Sequence, residues 1–144
     1  MDFCSNDEQY FGGLMGTTNN PEQFSAYNGI TVTEIKDGVG VGELDITPHS
    51  LNPGGIVHGG CLAALADTVA GVAVAVGQHR RCVTVNYSLS FLRPAKASGK
   101  KIVCVAKPHK LGKTLCVYGV SLTDDDGKEV ASGTFTFFLL DNSN

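Results

Sequence analysis

The spacing of hydrophobic positions predicts two strands near the start of the chain. Ile30 to Lys36 is rich in β-branched residues, Asp37-Gly38 is typical of a tight hairpin turn, and Val39 to Thr47 continues as a strand. Residues 48–55 are rich in Pro, Gly and polar side chains and are predicted to form a loop. The preceding 27 residues are weakly patterned, and they predict an extension with a short helix beginning between Tyr10 and Met15.

From His58 onward the hydrophobic period becomes that of a helix. Apolar side chains recur at helical spacing at Leu62, Leu65, Val69, Val72 and Val76. Small residues fill the positions between them, which favours a helix enclosed by a sheet, and Gly77 is predicted to end it. Residues 59–77 are also long and apolar enough to span a bilayer. Their Ala, Gly and Val composition, with Asp67 near the centre, favours a buried core helix instead.

The remainder of the chain is predicted to be β-structure. Between Val83 and Phe91, apolar and polar residues alternate, which predicts a strand with its apolar side chains on one face. Further strands are predicted at 101–107, 115–123 and 130–140. Two strands, one helix and then four strands in a meander predict an α+β architecture, with an antiparallel sheet of about six strands wrapped around one long central helix.

Composition and charge narrow the class of protein. The chain has 144 residues and predicts one domain, residues 28–144, after the extension 1–27. Its net charge of −3 is too small to indicate nucleic acid or an anionic membrane as the partner. The five cysteines form no Cys-x-x-Cys pair, and the first residues lack the basic and apolar regions of a signal peptide. We therefore expect a cytoplasmic protein with free thiols.

The glycine-rich segment before the helix is the first candidate for chemistry. The loop Asn52-Pro-Gly-Gly-Ile-Val-His58-Gly59-Gly60 leads directly into the helix, and its last glycines let a ligand approach the backbone. The first helical turn offers free N–H groups and the positive end of the dipole, which can stabilise a carbonyl oxygen that gains negative charge. On these residues alone, a glycine-rich entry that merely fits the helix is an equally good interpretation.

Asp67 is the second candidate. It is the only charged residue between His58 and His79, and an unpaired carboxylate inside an apolar helix is costly. A structural ion pair or cap is one interpretation, but catalysis or ligand binding is favoured. Asp67 lies seven residues past Gly60 on the same helical face, a separation of about 10 Å. One carbonyl cannot contact both, so the spacing predicts a site shared by two subunits with antiparallel helices.

Other chemistries are weakly supported. His58 and Cys61 share a helix face, but two ligands without a second pair are weak support for zinc, and we expect no metal. No Gly-x-Ser-x-Gly segment is present to suggest a serine nucleophile. Gly112-Lys113-Thr114 ends like a phosphate-binding loop, but position 107 is Lys rather than the required Gly.

Three segments together resemble a known family. They are the loop 52–60, the helical Leu62-Ala-Ala-Leu-Ala-Asp67-Thr, and the strand Val83-Thr-Val-Asn-Tyr-Ser-Leu-Ser-Phe-Leu-Arg-Pro-Ala95. Over about residues 28–140 the chain is similar to the PaaI-like branch of hot-dog acyl-CoA thioesterases. This resemblance implies a hydrolase that cleaves an acyl- or aryl-acetyl-CoA to the free acid and coenzyme A. It also implies a homotetramer, built as a dimer of dimers, and no cofactor other than the coenzyme A of the substrate.

The resemblance also implies roles for individual residues. Asp67 corresponds to the catalytic carboxylate, a general base or nucleophile, and the Gly59-Gly60 pair corresponds to the N–H that polarises the thioester carbonyl. His58 and Asn52 correspond to loop residues that orient the carbonyl or the water. Thr84 corresponds to a hydroxyl residue that supports the attacking water.

Substrate and coenzyme A contacts are expected on the strand after the helix and on a later turn. The residues are Asn86, Phe91, Arg93, Lys110, Gly112, Lys113 and Thr114. Two alternatives keep the fold without the hydrolysis: a non-catalytic acyl-CoA binding or sensing protein, and a hot-dog hydratase or dehydratase. The buried charge of Asp67 argues against the first. The second needs an acid–base pair that the sequence does not offer beside Asp67.

Overall fold

The molecule is described here from a computed structural model that covers residues 7–141, with side chains from Tyr10 onward. Cys4 lies outside this range. The helices are α1 (Asp7–Thr18), α2 (Phe24–Tyr27) and α3 (Gly59–Gln78), with a short 3-10 turn at Pro48–Ser50. The strands are β1 (Ile30–Lys36), β2 (Val39–Asp45), β3 (Cys82–Phe91), β4 (Lys101–Leu111), β5 (Leu115–Thr123) and β6 (Glu129–Leu139).

The predicted architecture is confirmed: one six-stranded antiparallel sheet surrounds a 20-residue helix. Asp37 and Gly38 both have positive φ, which makes the tight turn of the β1–β2 hairpin. The second strand ends at Asp45 rather than Thr47, and β4 continues to Leu111 rather than ending at Lys107. The extension contains a 12-residue helix and a shorter second one, more structure than its weak hydrophobic pattern indicated.

The predicted meander is wrong at β3. The strand order across the sheet is β1-β2-β4-β5-β6-β3, so β3 pairs with β6 and forms one edge. Because both sides of β4 are taken by β2 and β5, β3 cannot pair with its neighbour in sequence. The free edge carries exposed apolar side chains, with Val85 and Tyr87 each 52% exposed. An edge of this kind needs protection from other chains.

Helix α3 lies in the core, as its small residues predicted. Ten of its residues are buried, and Leu65, Ala66 and Val69 have no exposed surface. It is the one helix among residues 7–141 that is long and apolar enough to cross a membrane. Phe135, Phe137 and other inward side chains of the sheet cover it instead, in a single continuous core. The apolar length of α3 is therefore explained by enclosure within the sheet.

Glycines in β2 allow this close packing. A Cβ on Gly42 would lie 2.4 Å from a Val69 methyl and 2.9 Å from the Thr31 carbonyl oxygen. We expect Gly42→Val to lower the free energy of unfolding by about 3 kcal/mol or more, because overpacking forces the helix away from the sheet. Denaturant unfolding measures this change. Val41→Thr, on the other face of the same strand, is the control and should cost much less.

A double-mutant cycle isolates the contact. Val69→Ala removes the methyl group that the new Cβ meets first. The loss of stability from Gly42→Ala should therefore be smaller in the Val69→Ala background than in the wild type. Equal losses in both backgrounds would show that the helix does not press on β2 here.

Candidate active site

The N-terminus of α3 presents one free backbone donor. His58 is the N-cap residue, and its Nδ1 accepts a hydrogen bond from the Gly60 N–H at 2.8 Å. The Gly59 N–H, the first of the helix, has no acceptor within residues 7–141. A helix N-terminus carries partial positive charge. Of the two glycines left open by the sequence, Gly59 is thus the one whose donor is available.

The surroundings of Gly59 form a small cavity. The ring of Phe91 covers it, since a Cβ at Gly59 would lie 3.3 Å from that ring. The Asn52 side chain shapes the loop by accepting hydrogen bonds from the N–H groups of Gly54 (3.0 Å) and Ile56 (3.3 Å). Gly59, Phe91, Asn52 and Arg93 line one cavity of about 370 Å³. Four of the predicted site residues therefore lie together at the start of α3.

Asp67 lies two turns further along the helix, where it is half-buried. The Thr84 hydroxyl on β3 donates to its Oδ1 at 2.6 Å. The second carboxylate oxygen of Asp67 accepts no hydrogen bond from the side chains described. The structure thus brings Asp67 and Thr84 together, although they are remote in sequence.

A bulge in β3 makes this contact possible. The pairing of β3 with β6 shifts register between Thr84 and Asn86. Before the bulge Thr84 points toward the helix, and after it Tyr87 does, with its ring stacked on buried Phe135 at 4.6 Å. The prediction that Val83 and Tyr87 share a face is therefore wrong, because the extra residue exchanges the two faces.

The two groups of site residues occupy different cavities. Asp67 and Thr84 line a cavity of about 440 Å³ that does not include Gly59 or Asn52. Eight residues of helix separate Gly59 from Asp67, a distance of about 12 Å. One thioester group cannot reach both within one copy of the chain.

The predicted coenzyme A contacts are divided in the same way. Arg93 lies near the start of α3, whereas the 110–114 turn lies near its end, where Arg80 donates to the Lys113 carbonyl oxygen at 2.7 Å. About 30 Å of helix lies between them. Gly112 closes this turn, because a Cβ there would lie 2.6 Å from the Leu115 oxygen. Asn86 follows the bulge on the exposed edge strand, away from Asp67.

Sequence reasoning missed part of the wall around Asp67. Tyr10 and Leu14 of α1, Gly71 of α3 and Cys82 of β3 all line its cavity. The spacing of Gly71, one helical turn after Asp67, was the available signal. Burial raises the pKa of the Cys82 thiol to about 12, with smaller contributions from Cys116 and Asp67. Cys82 is therefore a neutral wall residue and not a nucleophile.

Comparison with known proteins identifies the family of this chain. The model of the family described as "Thioesterase superfamily" matches residues 54–131, which include the loop from Gly54 onward, α3 and Thr84. Human acyl-coenzyme A thioesterase 13 is 32% identical over 112 residues, which are 76% of this chain and 79% of that protein.

Two solved structures are also similar. A hypothetical thioesterase protein from Streptococcus pneumoniae, solved with coenzyme A, has 29% identity and a TM-score of 0.72 over 77% of this chain and 85% of that one. PaaI of the E. coli phenylacetic acid degradation operon shares the fold, with a TM-score of 0.82 and 23% identity over 95% and 97% of the two chains.

The fold and the family match define a hot-dog enzyme of the thioester hydrolase class. The chain belongs to the thioesterase superfamily.

Proposed function

We propose that the protein hydrolyses acyl-CoA thioesters at a site shared by two subunits. The observation that carries this proposal is the separation of Asp67 and Thr84 from the Gly59 N–H by about 12 Å of one rigid helix. A two-fold axis that sets two α3 helices antiparallel places Asp67 of one subunit beside the first helical turn of the other. The exposed apolar edge of β3 is the surface that such a dimer would cover.

The chemistry follows from the groups that this arrangement brings together. The free Gly59 N–H holds the thioester carbonyl oxygen and stabilises the negative charge that develops there. Asp67 accepts a proton from a water molecule while the oxygen of that water attacks the carbonyl carbon. The Thr84 hydroxyl fixes one carboxylate oxygen, so the other faces the water. Collapse of the intermediate breaks the carbon–sulfur bond, and the sulfur leaves as the thiol of coenzyme A by taking the proton that Asp67 had accepted. The free acid remains and the Asp67 carboxylate is regenerated.

The same symmetry explains the divided coenzyme A contacts. Arg93 lies near the start of α3 and Lys113 near its end. With Asp67 of one subunit beside the first turn of α3 in the other, the end of the first helix lies eleven residues past Asp67, about 16 Å further along. Arg93 of one subunit and Lys113 of the other then both contact one extended substrate. Arg93, Lys110 and Lys113 then bind phosphate groups, for which Lys and Arg are suited. We propose that two such dimers pair to form a homotetramer and that the protein is cytoplasmic.

Thiol release from a panel of aryl-, short-chain and long-chain acyl-CoAs tests the function directly. We expect the wild-type protein to release free coenzyme A, detected with a disulfide dye, at rates that depend on the acyl group. A crotonyl-CoA arm, followed in the ultraviolet, detects water addition. Binding of acyl-CoA without thiol release would identify a sensing protein, and water addition to the double bond would identify a hydratase; either result contradicts the proposal.

A further inference from the structure

The cavity beside Asp67 has a wall from outside the matched family region. Tyr10 and Leu14, four residues apart on α1, line the same cavity as the carboxylate. Residues at this spacing share one face of a helix. The family match covers residues 54–131, so α1 lies outside the matched segment, as β1 and β2 also do.

Helix α3 forms the floor of this cavity, which extends from Asp67 toward the C-terminal end of the helix. Asp67, Gly71 and Ala75 follow one stripe of α3, each about 6 Å from the next, and all three line the cavity. Gly71 keeps the floor low: a Cβ there would already lie 3.4 Å from the Phe137 ring. An acyl group whose carbonyl lies beside Asp67 therefore has an apolar channel that runs along α3 toward its C-terminal end.

Several contacts hold α1 in place over this channel. The Phe11 side chain is 2% exposed, and its ring packs edge-on against the His79 ring at 5.4 Å. The Arg81 guanidinium lies 4.0 Å from the centre of the Tyr10 ring, a favourable cation–π contact. Helix α1 is thus docked, with the Tyr10 and Leu14 side chains turned to the cavity.

We infer that α1 is the end wall of the acyl pocket and that Tyr10 and Leu14 restrict the enzyme to compact acyl groups. This inference rests on the proposed function, because it takes the reacting carbonyl to lie at Asp67. The channel from Asp67 to Ala75 is about 12 Å long, and α1 lies at its far end, beside His79 and Arg81. It accepts an aromatic ring or a short chain, whereas a long fatty chain meets α1.

The test compares kcat/KM for phenylacetyl-CoA, hexanoyl-CoA and dodecanoyl-CoA. The wild type should prefer the two compact substrates. The Tyr10→Ala/Leu14→Ala double variant should raise kcat/KM for dodecanoyl-CoA about tenfold, as expected when a channel can bury roughly two more methylene groups. Its kcat/KM for hexanoyl-CoA should change by less than about threefold, since that chain ends before the wall.

Two further variants sharpen the test. Thr17→Ala alters an exposed position of α1 that does not line the cavity, and it should leave the chain-length preference unchanged. Gly71→Val raises the floor and should lower kcat/KM for hexanoyl-CoA relative to acetyl-CoA. An unchanged preference in the folded double variant, or an equal shift in Thr17→Ala, overturns the inference.

Failure of the proposed function is separable from failure of the inference. If the wild type releases no thiol from any substrate, calorimetry with ketone analogues, in which a methylene group replaces the thioester sulfur, measures the pocket alone. The double variant should then bind the dodecanoyl analogue about tenfold more tightly, with little change for the hexanoyl analogue. If the wild type releases no thiol but the analogues show this binding pattern, only the proposed hydrolysis is contradicted. If the double variant binds the dodecanoyl analogue no more tightly than the wild type does, the role of α1 is contradicted.

Discussion

Asp67→Asn is expected to lower kcat by about 10³-fold, because it removes the general base from the proposed reaction. Asparagine has nearly the same shape and its amide oxygen can still accept the hydrogen bond from Thr84, so the local structure should be retained. Steady-state thiol release with the best acyl-CoA substrate measures the loss. An unchanged melting temperature shows that the loss is chemical rather than structural.

Substitutions of Thr84 test how much its hydrogen bond to the Asp67 carboxylate contributes to kcat. Thr84→Val keeps the shape of the side chain but removes the hydroxyl that donates to Asp67 Oδ1. We expect about a tenfold loss of kcat from the poorer orientation of the carboxylate, equivalent to one lost hydrogen bond to a charged group. Thr84→Ser, which keeps the hydroxyl, should retain most of the activity.

An Asp67→Asn enzyme whose kcat lies within tenfold of the wild-type value would rule out Asp67 as the general base.

Gly59→Pro is expected to lower kcat about 10²- to 10³-fold, because it removes the proposed carbonyl donor itself. Proline is tolerated at the first position of a helix, which Gly59 occupies. The preceding residue, His58, has φ −61° and ψ 133°, the extended conformation that a residue before proline prefers. The backbone can therefore accept this change, and kcat with the best substrate reports the loss of one N–H group.

Gly59→Ala is the matched control. It keeps the N–H and adds the Cβ, which must fit 3.3 Å from the Phe91 ring, as the proline Cβ must. A large loss in the proline variant and a small loss in the alanine variant would assign the effect to the donor. Equal losses in both variants would assign it to crowding against Phe91 and contradict the proposed role of the Gly59 N–H.

Mixing the two inactive variants tests whether the site is shared. If Asp67 of one subunit acts with Gly59 of the other, a dimer of one Asp67→Asn and one Gly59→Pro chain has one intact site and one doubly altered site. After unfolding and random reassociation of an equal mixture, activity should return to about one quarter of the wild type, since half of the dimers are mixed. A site contained within one chain predicts no recovery in the same mixture.

Local patterns in the sequence were enough to predict several elements of the structure. The helical spacing from Leu62 to Val76 predicted α3, and the Asp37-Gly38 pair predicted the first hairpin. The lone carboxylate of Asp67 and the glycines before it marked candidate chemistry, and the helical rise alone showed that one chain cannot bring them together. The predictions of α3 and of the first hairpin succeeded because periodicity and turn geometry depend on residues close in sequence.

Strand pairing and the wall of the pocket depended on contacts remote in sequence. The pairing of β3 with β6 follows from competition for the edges of β4, and alternation within β3 gave no sign of the bulge that turns Thr84 toward Asp67. The docking of α1 rests on Phe11, His79 and Arg81, while its own sequence is only weakly amphipathic. The amino-acid sequence determined the elements and the candidate carboxylate, because those depend on local geometry. Only the tertiary structure decided which side chains meet that carboxylate, because packing between distant segments sets those contacts.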